Sequence, residues 1–216
     1  MREIGDAASV LAQRLRDELL AGALAAGTRL KEEELAERFR AGRYTVRSAL
    51  RTLVASRLLE HEPNRGARVP VLLPGRIDEL YEYRTALEVG SLRVAQSRAV
   101  GLAAVEAATA VLVALPADAP WPLVVGRHQE VHRAIVASSG NVRLAEAYAL
   151  CEEELQFVVA STRPFYTAQR LAALHVELLG HLREGGEGAV AALERDIETG
   201  RCAVLEAMAG TVRGSS

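Results

Sequence analysis

No run of about 18 apolar residues, the length a membrane helix needs, occurs in this 216-residue chain. The best candidate, residues 102–125, is interrupted by Glu106, Pro116, Asp118 and two further prolines. The first residues carry Glu3 and Asp6 and no apolar signal core, so nothing argues for export and the expected location is the cytoplasm. Only two cysteines occur, Cys151 and Cys202, far apart and within helical patterns. They read as free thiols rather than a disulfide framework. Aromatic residues make up 4% of the chain, and neither a fixed-period repeat nor a low-complexity tract is visible. What is abundant is Leu, Ala, Glu and Arg, a helical composition, with half of all residues apolar and ample for a core.

The net charge of −2 hides an asymmetry. Residues 1–74 hold 13 basic and 10 acidic side chains, a balance of +3; residues 75–216 hold 13 and 18, a balance of −5. A basic front and an acidic back suggest that only the front meets nucleic acid.

The front is organised around residues 35–69. Leu35, Ala36 and Phe39 give one short helical face, Ala41-Gly42 breaks it, and a second run places Val46, Ala49, Leu50, Leu53 and Val54 on one side. Arg43, Arg47 and Arg51 fall on another side of that run. Two helices across a glycine-containing turn form a helix-turn-helix whose second helix begins with arginines able to reach base edges. Beyond it, residues 58–62 and 66–69 flank the turn residues Pro63-Asn64-Arg65, a small hairpin, and the whole reads as a winged helix-turn-helix. From Arg38 to Arg68 eight arginines face two acids, Glu60 and Glu62, an excess suited to a phosphate backbone. An amphipathic helix over residues 9–21, lined by Val10, Leu11, Leu15, Leu19 and Leu20, precedes them, and Glu32 and Glu33 suit the positive start of the next helix.

Residues 1–69 are therefore expected to form one domain, residues 70–75 (PVLLPG) a linker, and residues 76–216 a second domain. Past the linker only helical periods occur. Six helices are expected, over residues 77–100, 102–115, 121–138, 142–161, 168–184 and 189–212, with breaks that include Pro116 to Pro120, Ser139-Gly140-Asn141 and Gly185 to Gly188. The predicted fold is mostly α: an N-terminal winged helix-turn-helix and a C-terminal antiparallel all-α bundle.

The front segments LRDELLAGALAAGTRLKEEELAERF, TVRSALRTL and LLEHEPNRGARV resemble the DNA-binding domain of the GntR family of bacterial transcription regulators. That family usually carries Ser-Arg-x-Pro-Val-Arg-Glu-Ala-Leu at the recognition helix. Here Gly42-Arg43-Tyr44-Thr45-Val46-Arg47-Ser48-Ala49-Leu50 keeps both arginines and replaces the Ser, Pro and Glu, which forbids borrowing a known half-site. The back half resembles the FCD effector domain of the family's FadR-like branch, through Tyr81-Glu82-Tyr83-Arg84-Thr85-Ala86-Leu87-Glu88 and through Val131-His132-Arg133-Ala134-Ile135 followed by Ser139-Gly140-Asn141.

His128 and His132 stand at i and i+4, so their rings share a helix face and can grip one ion. His175 lies among Leu171, Leu174, Leu178 and Leu179, an inward-facing pattern, whereas His181 reads as solvated. Many FCD domains bind a metal through an Asp, a His four residues on, and one His from each of the last two helices. The resemblance maps these positions onto His128, His132, His175 and Asp196, the first and last residue types exchanged. Three imidazoles and a carboxylate suit Zn²⁺, Ni²⁺, Mn²⁺ or Fe²⁺. Arg84 has two readings: an i,i+4 ion pair with Glu88, or a fork for a carboxylate effector beside the metal. Asn141 reads as a helix cap.

The expectation is a ligand-responsive regulator, a repressor of a catabolic or transport operon, acting as a homodimer on a pseudo-palindromic duplex operator. Arg43, Thr45 and Arg47 would contact DNA from the recognition helix, and Arg65 and Gly66 from the wing. The effector would be a small carboxylate. A metal-dependent hydrolase is the rival from another class. His128-Gln129-Glu130-Val131-His132 departs from the zinc-peptidase helix at Gln129, where the general-base Glu would stand, so no enzymatic activity is expected. A purely structural metal in the bundle is the alternative within the regulator reading.

Overall fold

The computed structural model describes residues 2–62, 66–163 and 165–213, with side chains described for 7–62, 66–163 and 165–209. The chain separates into two compact units, Met1–Leu72 and Leu73–Ser216.

The first unit contains α1 (Arg2–Leu20), β1 (Arg29–Leu30), α2 (Glu32–Phe39), α3 (Arg43–Ala55), β2 (Glu60–Glu62) and β3 (Gly66–Arg68). Helix α1 packs on α3 and α2 on α3, around Leu11, Leu15, Leu35, Val46, Ala49 and Leu53, all buried. Each leucine so enclosed contributes about 1.5–3 kcal/mol of hydrophobic stabilisation. Val10, expected on the inner face of α1, is half exposed. The buried stripe instead runs Ala8, Leu11, Ala12, Leu15, Leu19, the i, i+3, i+4 positions, and Val10 falls one residue off it. Helix α2 ends on Arg40 in the left-handed region (φ 49°), and Gly42 starts α3 without a side-chain cap.

The wing is a three-stranded antiparallel sheet in the order β1-β3-β2, with Leu30 opposite Ala67 and His61 also opposite Ala67. Strand β1 was not legible in the sequence because two residues carry no alternation. Gly66 (φ +93°) sits where a Cβ would come within 2.4 Å of the Leu30 carbonyl oxygen, so the β1–β3 crossing itself demands glycine there.

The second unit holds α4 (Pro74–Ser97), α5 (Ala103–Val113), α6 (Trp121–Ser138), α7 (Val142–Ala160), α8 (Ala168–Glu184) and α9 (Gly186–Arg213). Helix α4 begins inside the expected linker, because Pro74 occupies the first turn, where no amide donor is needed. Helix α9 likewise starts earlier than expected: the positive φ of Gly185 and Gly186 makes the break, and the chain is helical from there. Helix α6 lies at the centre, against α4, α5, α7 and α8, while α9 packs on α4 and α8. Asn141 caps α7, its side chain accepting from the Arg143 amide. Cys151 is buried, Cys202 exposed, and both are free. Among the described residues no helix is long and apolar enough to cross a membrane.

Candidate functional site

Helices α6 and α8 bring His128, His132 and His175 together, all buried, and among the described residues no other group of three such ligands converges. The Nε2 atoms of His132 and His128 lie 3.2 Å apart, and those of His175 and His132 3.1 Å apart. The outward nitrogens decide the tautomers. His175 Nδ1 faces the Leu171 carbonyl at 2.8 Å, and His132 Nδ1 faces the Glu88 carboxylate at 2.8 Å. Both oxygens only accept, so both Nδ1 atoms carry the proton, and the two Nε2 atoms turn bare lone pairs toward each other. Facing lone pairs at this distance call for a cation or a proton between them.

Asp196 on α9 adds a carboxylate oxygen 3.6 Å from His132 Nε2, at the edge of the histidine cluster rather than within it. The donor set, three imidazoles of which His132 and His175 have outer hydrogen-bond partners, with a nearby carboxylate, fits a divalent first-row metal. Burial pushes the pKa of His128 well below its usual value and that of His175 below it, the neighbouring His132 adding to both and Asp196 partly opposing at His175. Both rings are thus held neutral, the form that ligates.

Behind the histidines lies a buried polar network that sequence reasoning saw only in part. Arg84 donates from Nε to Glu88 Oε1 at 2.7 Å, Tyr148 donates its hydroxyl to the same oxygen at 2.9 Å, and Gln129 donates to the Tyr148 hydroxyl at 2.6 Å. Burial alone would raise the Glu88 carboxyl, but Arg84 and His132 outweigh it and hold it at about 2. The i,i+4 pair foreseen for Arg84 and Glu88 is therefore present, though as a buried ion pair and not a surface one. Arg84 also retains an amino group, Nη2, with no protein partner, and the buried Tyr81 hydroxyl has none either. Both residues line a small cavity of about 30 Å³ with His128, His175, Asp196 and Gly200. Gln129 carried no readable signal, since the residue one position from His128 on a helix usually faces elsewhere, and Tyr148 carried none because its partners lie on other helices. His181, expected to be solvated, is 40% exposed.

On α3 of the first unit, Arg43, Tyr44, Arg47 and Arg51 are exposed and Thr45 is half-buried. Arg43, Arg47 and Arg51 line an open groove with Gly66 of β3. Arg65 lies outside the described residues, as do Pro63 and Asn64. Two acids that the eight-arginine window excluded fold back onto this face: Glu32 pairs with Arg47 and Glu33 with Arg43.

Comparison with known proteins adds the relationships. Residues 7–69 match the model for bacterial regulatory proteins of the gntR family, and residues 79–199 match the FCD domain model. An uncharacterized HTH-type transcriptional regulator, BphR of Paraburkholderia xenovorans strain LB400, is 41% identical over 81 residues, 38% of this chain and 33% of its own length. The chain thus matches about a third of that relative. The crystal structure of a transcriptional regulator GntR from Rhodococcus sp. RHA1 superposes with a TM-score of 0.75 at 25% identity, over 92% of this chain and 97% of that one. E. coli McbR/YncC shares the fold, with a TM-score of 0.69 at 21% identity over 93% and 97% of the two chains.

Proposed function

Since the chain belongs to the GntR family of bacterial regulatory proteins and joins a DNA-binding helix-turn-helix to an FCD effector domain, we propose that it is a repressor of a catabolic or transport operon that responds to a small organic acid. It works in the cytoplasm as a homodimer, placing two α3 helices in successive major grooves of a pseudo-palindrome. Arg43 and Arg47 contact bases or phosphates, Thr45 a phosphate, and Arg65 and Gly66 approach the duplex from the wing. His128, His132, His175 and Asp196 hold a divalent ion, Zn²⁺, Ni²⁺, Mn²⁺ or Fe²⁺, which when bound supplies positive charge to an anionic ligand. Arg84 orients that ligand's carboxylate through Nη2, while its Nε stays on Glu88.

The observation that supports the effector half most is the buried convergence of unprotonated imidazole nitrogens beside an arginine with an unpaired amino group. For regulation, the acid must bind the DNA-competent and DNA-incompetent arrangements with different affinity.

One observation favours a second reading, a metal that only staples the bundle. The cavity of about 30 Å³ admits little more than a water or two, so an acid needs its walls to part. Elemental analysis of the purified chain, followed by anisotropy titration of its promoter-region duplex with and without a panel of carboxylic acids, tests the proposal. The expected result is stoichiometric metal and a change in duplex affinity with at least one acid. Chelation that lowers the melting temperature while leaving acid binding unchanged favours the staple. Arg47→Ala with undiminished duplex affinity removes the assignment of the recognition helix.

A further inference from the structure

Arg47 does not lie loose on the surface of α3. Its Nε donates to both carboxylate oxygens of Glu32, at 2.9 and 3.2 Å, and its Nη2 donates to Oε2 at 2.7 Å. Glu32 belongs to the first turn of α2 and its side chain is 26% exposed. The hydrogen bonds from Arg47 lower its pKa despite the desolvation of the carboxyl. This is the side-on mode of an arginine–carboxylate pair, and it consumes Nε–H and one proton of Nη2. A guanidinium has five N–H donors in a rigid plane, so three remain. They sit on Nη1 and Nη2, the end-on fork, and no described residue hydrogen-bonds Nη1. Arg43 differs: a single ion-pair contact of 3.0 Å joins it to Glu33, with the two side chains 70% and 74% exposed.

We propose that Glu32 is a specificity-determining positioning residue: it braces Arg47 so that the free end-on fork meets one base edge in the major groove. The acceptor pair whose spacing fits that fork is O6 and N7 of a guanine. The brace acts in two ways. It removes rotamer freedom from a side chain that would otherwise settle on the nearest phosphate, and it offsets the charge on which phosphate attraction depends. A directional contact survives both effects; a nonspecific one does not. Arg43, without a two-point brace, remains free to follow the backbone.

The inference rests on the reading of α3 as the recognition helix, and the test separates the two. Full-length wild-type chain enriches duplexes from a random pool. The enriched duplex and a scrambled one are then titrated with wild type, Glu32→Gln, Glu32→Asp and Arg47→Ala by anisotropy at several salt concentrations. Wild type is expected to require guanine at one fixed position of each half-site. Glu32→Gln is expected to lose that discrimination by about tenfold or more, with scrambled-duplex affinity equal or tighter. Glu32→Asp, which keeps the charge at shorter reach, falls between. Gln is isosteric at a part-exposed site, and an unchanged melting temperature confirms the fold. Glu32→Gln that keeps the guanine preference, or tightens both duplexes by one common factor, overturns the brace. Arg47→Ala that binds every duplex as wild type does overturns the reading of α3 itself.

Discussion

Replacing Glu88 by Gln tests the buried network most directly. Glu88 is fully buried and its carboxylate accepts from Arg84, Tyr148 and His132 at 2.7–2.9 Å. Gln keeps the volume and removes the charge. Arg84, 1% exposed, then becomes a buried cation without a counter-charge. Breaking one side of such a pair costs about 3–5 kcal/mol. With a urea m-value of about 2 kcal/mol/M, the unfolding midpoint should fall by about 2 M. A second effect is separable. His132 loses the anionic acceptor for Nδ1–H that sets its tautomer, which should weaken metal binding by about 10–100-fold. The double variant Arg84→Met/Glu88→Leu removes both charges together and should recover most of the lost stability while leaving the metal effect in place. Urea unfolding under chelator and competition with a chromophoric zinc chelator read the two effects apart. A Glu88→Gln variant within about 0.5 kcal/mol of wild type, with unchanged metal affinity, would refute the reasoning.

Gly66→Ala should destabilise the winged unit by about 1–3 kcal/mol or more, through the Cβ clash with Leu30 and the positive φ, and a melting temperature equal to wild type would contradict it. Asn141→Ala removes the cap of α7 and should lower stability by about 1 kcal/mol, read by the same melt. Acidification should weaken the metal-free chain. His128 and His175 have folded pKa values depressed below 6.5, so their contribution is whole above that pH and is lost as pH falls toward the lowered values, because the unfolded chain takes up protons first. Glu88, held at about 2, adds a further loss between its usual range and that value. Melting temperatures that stay flat from pH 8 to pH 4 would exclude this linkage.

The helices were legible because their signals are local. Trp121–Ser138 opens at Pro120, with Pro122 in its first turn, and closes on Ser139-Gly140, and Ala168–Glu184 is bounded by Thr167 and Gly185, so its i, i+4 pattern has sharp ends. Where the signal was ambiguous the boundary moved, as at Pro74, since proline both ends one helix and starts another. Strand β1 was missed because its two residues are extended only through their pairing with Arg68 and Ala67. The histidine pair of α6 could be seen from its spacing, and His175 from its leucine neighbours. Glu88 appeared only as a partner for Arg84, because i,i+4 logic does not look across to another helix.

The order of apolar and polar residues, read within a turn or two, was enough to settle the winged helix-turn-helix, the helical bundle and which histidines face inward. Tertiary packing alone decided that Glu88 of α4 orients His132 of α6, that His175 of α8 meets that ring, and that Glu32 of α2 clasps Arg47 of α3. The reason is one of distance. Helical periodicity reports interactions over about four residues, whereas these contacts join positions 15, 43 and 44 residues apart and exist only once the hydrophobic faces have fixed how the helices cross.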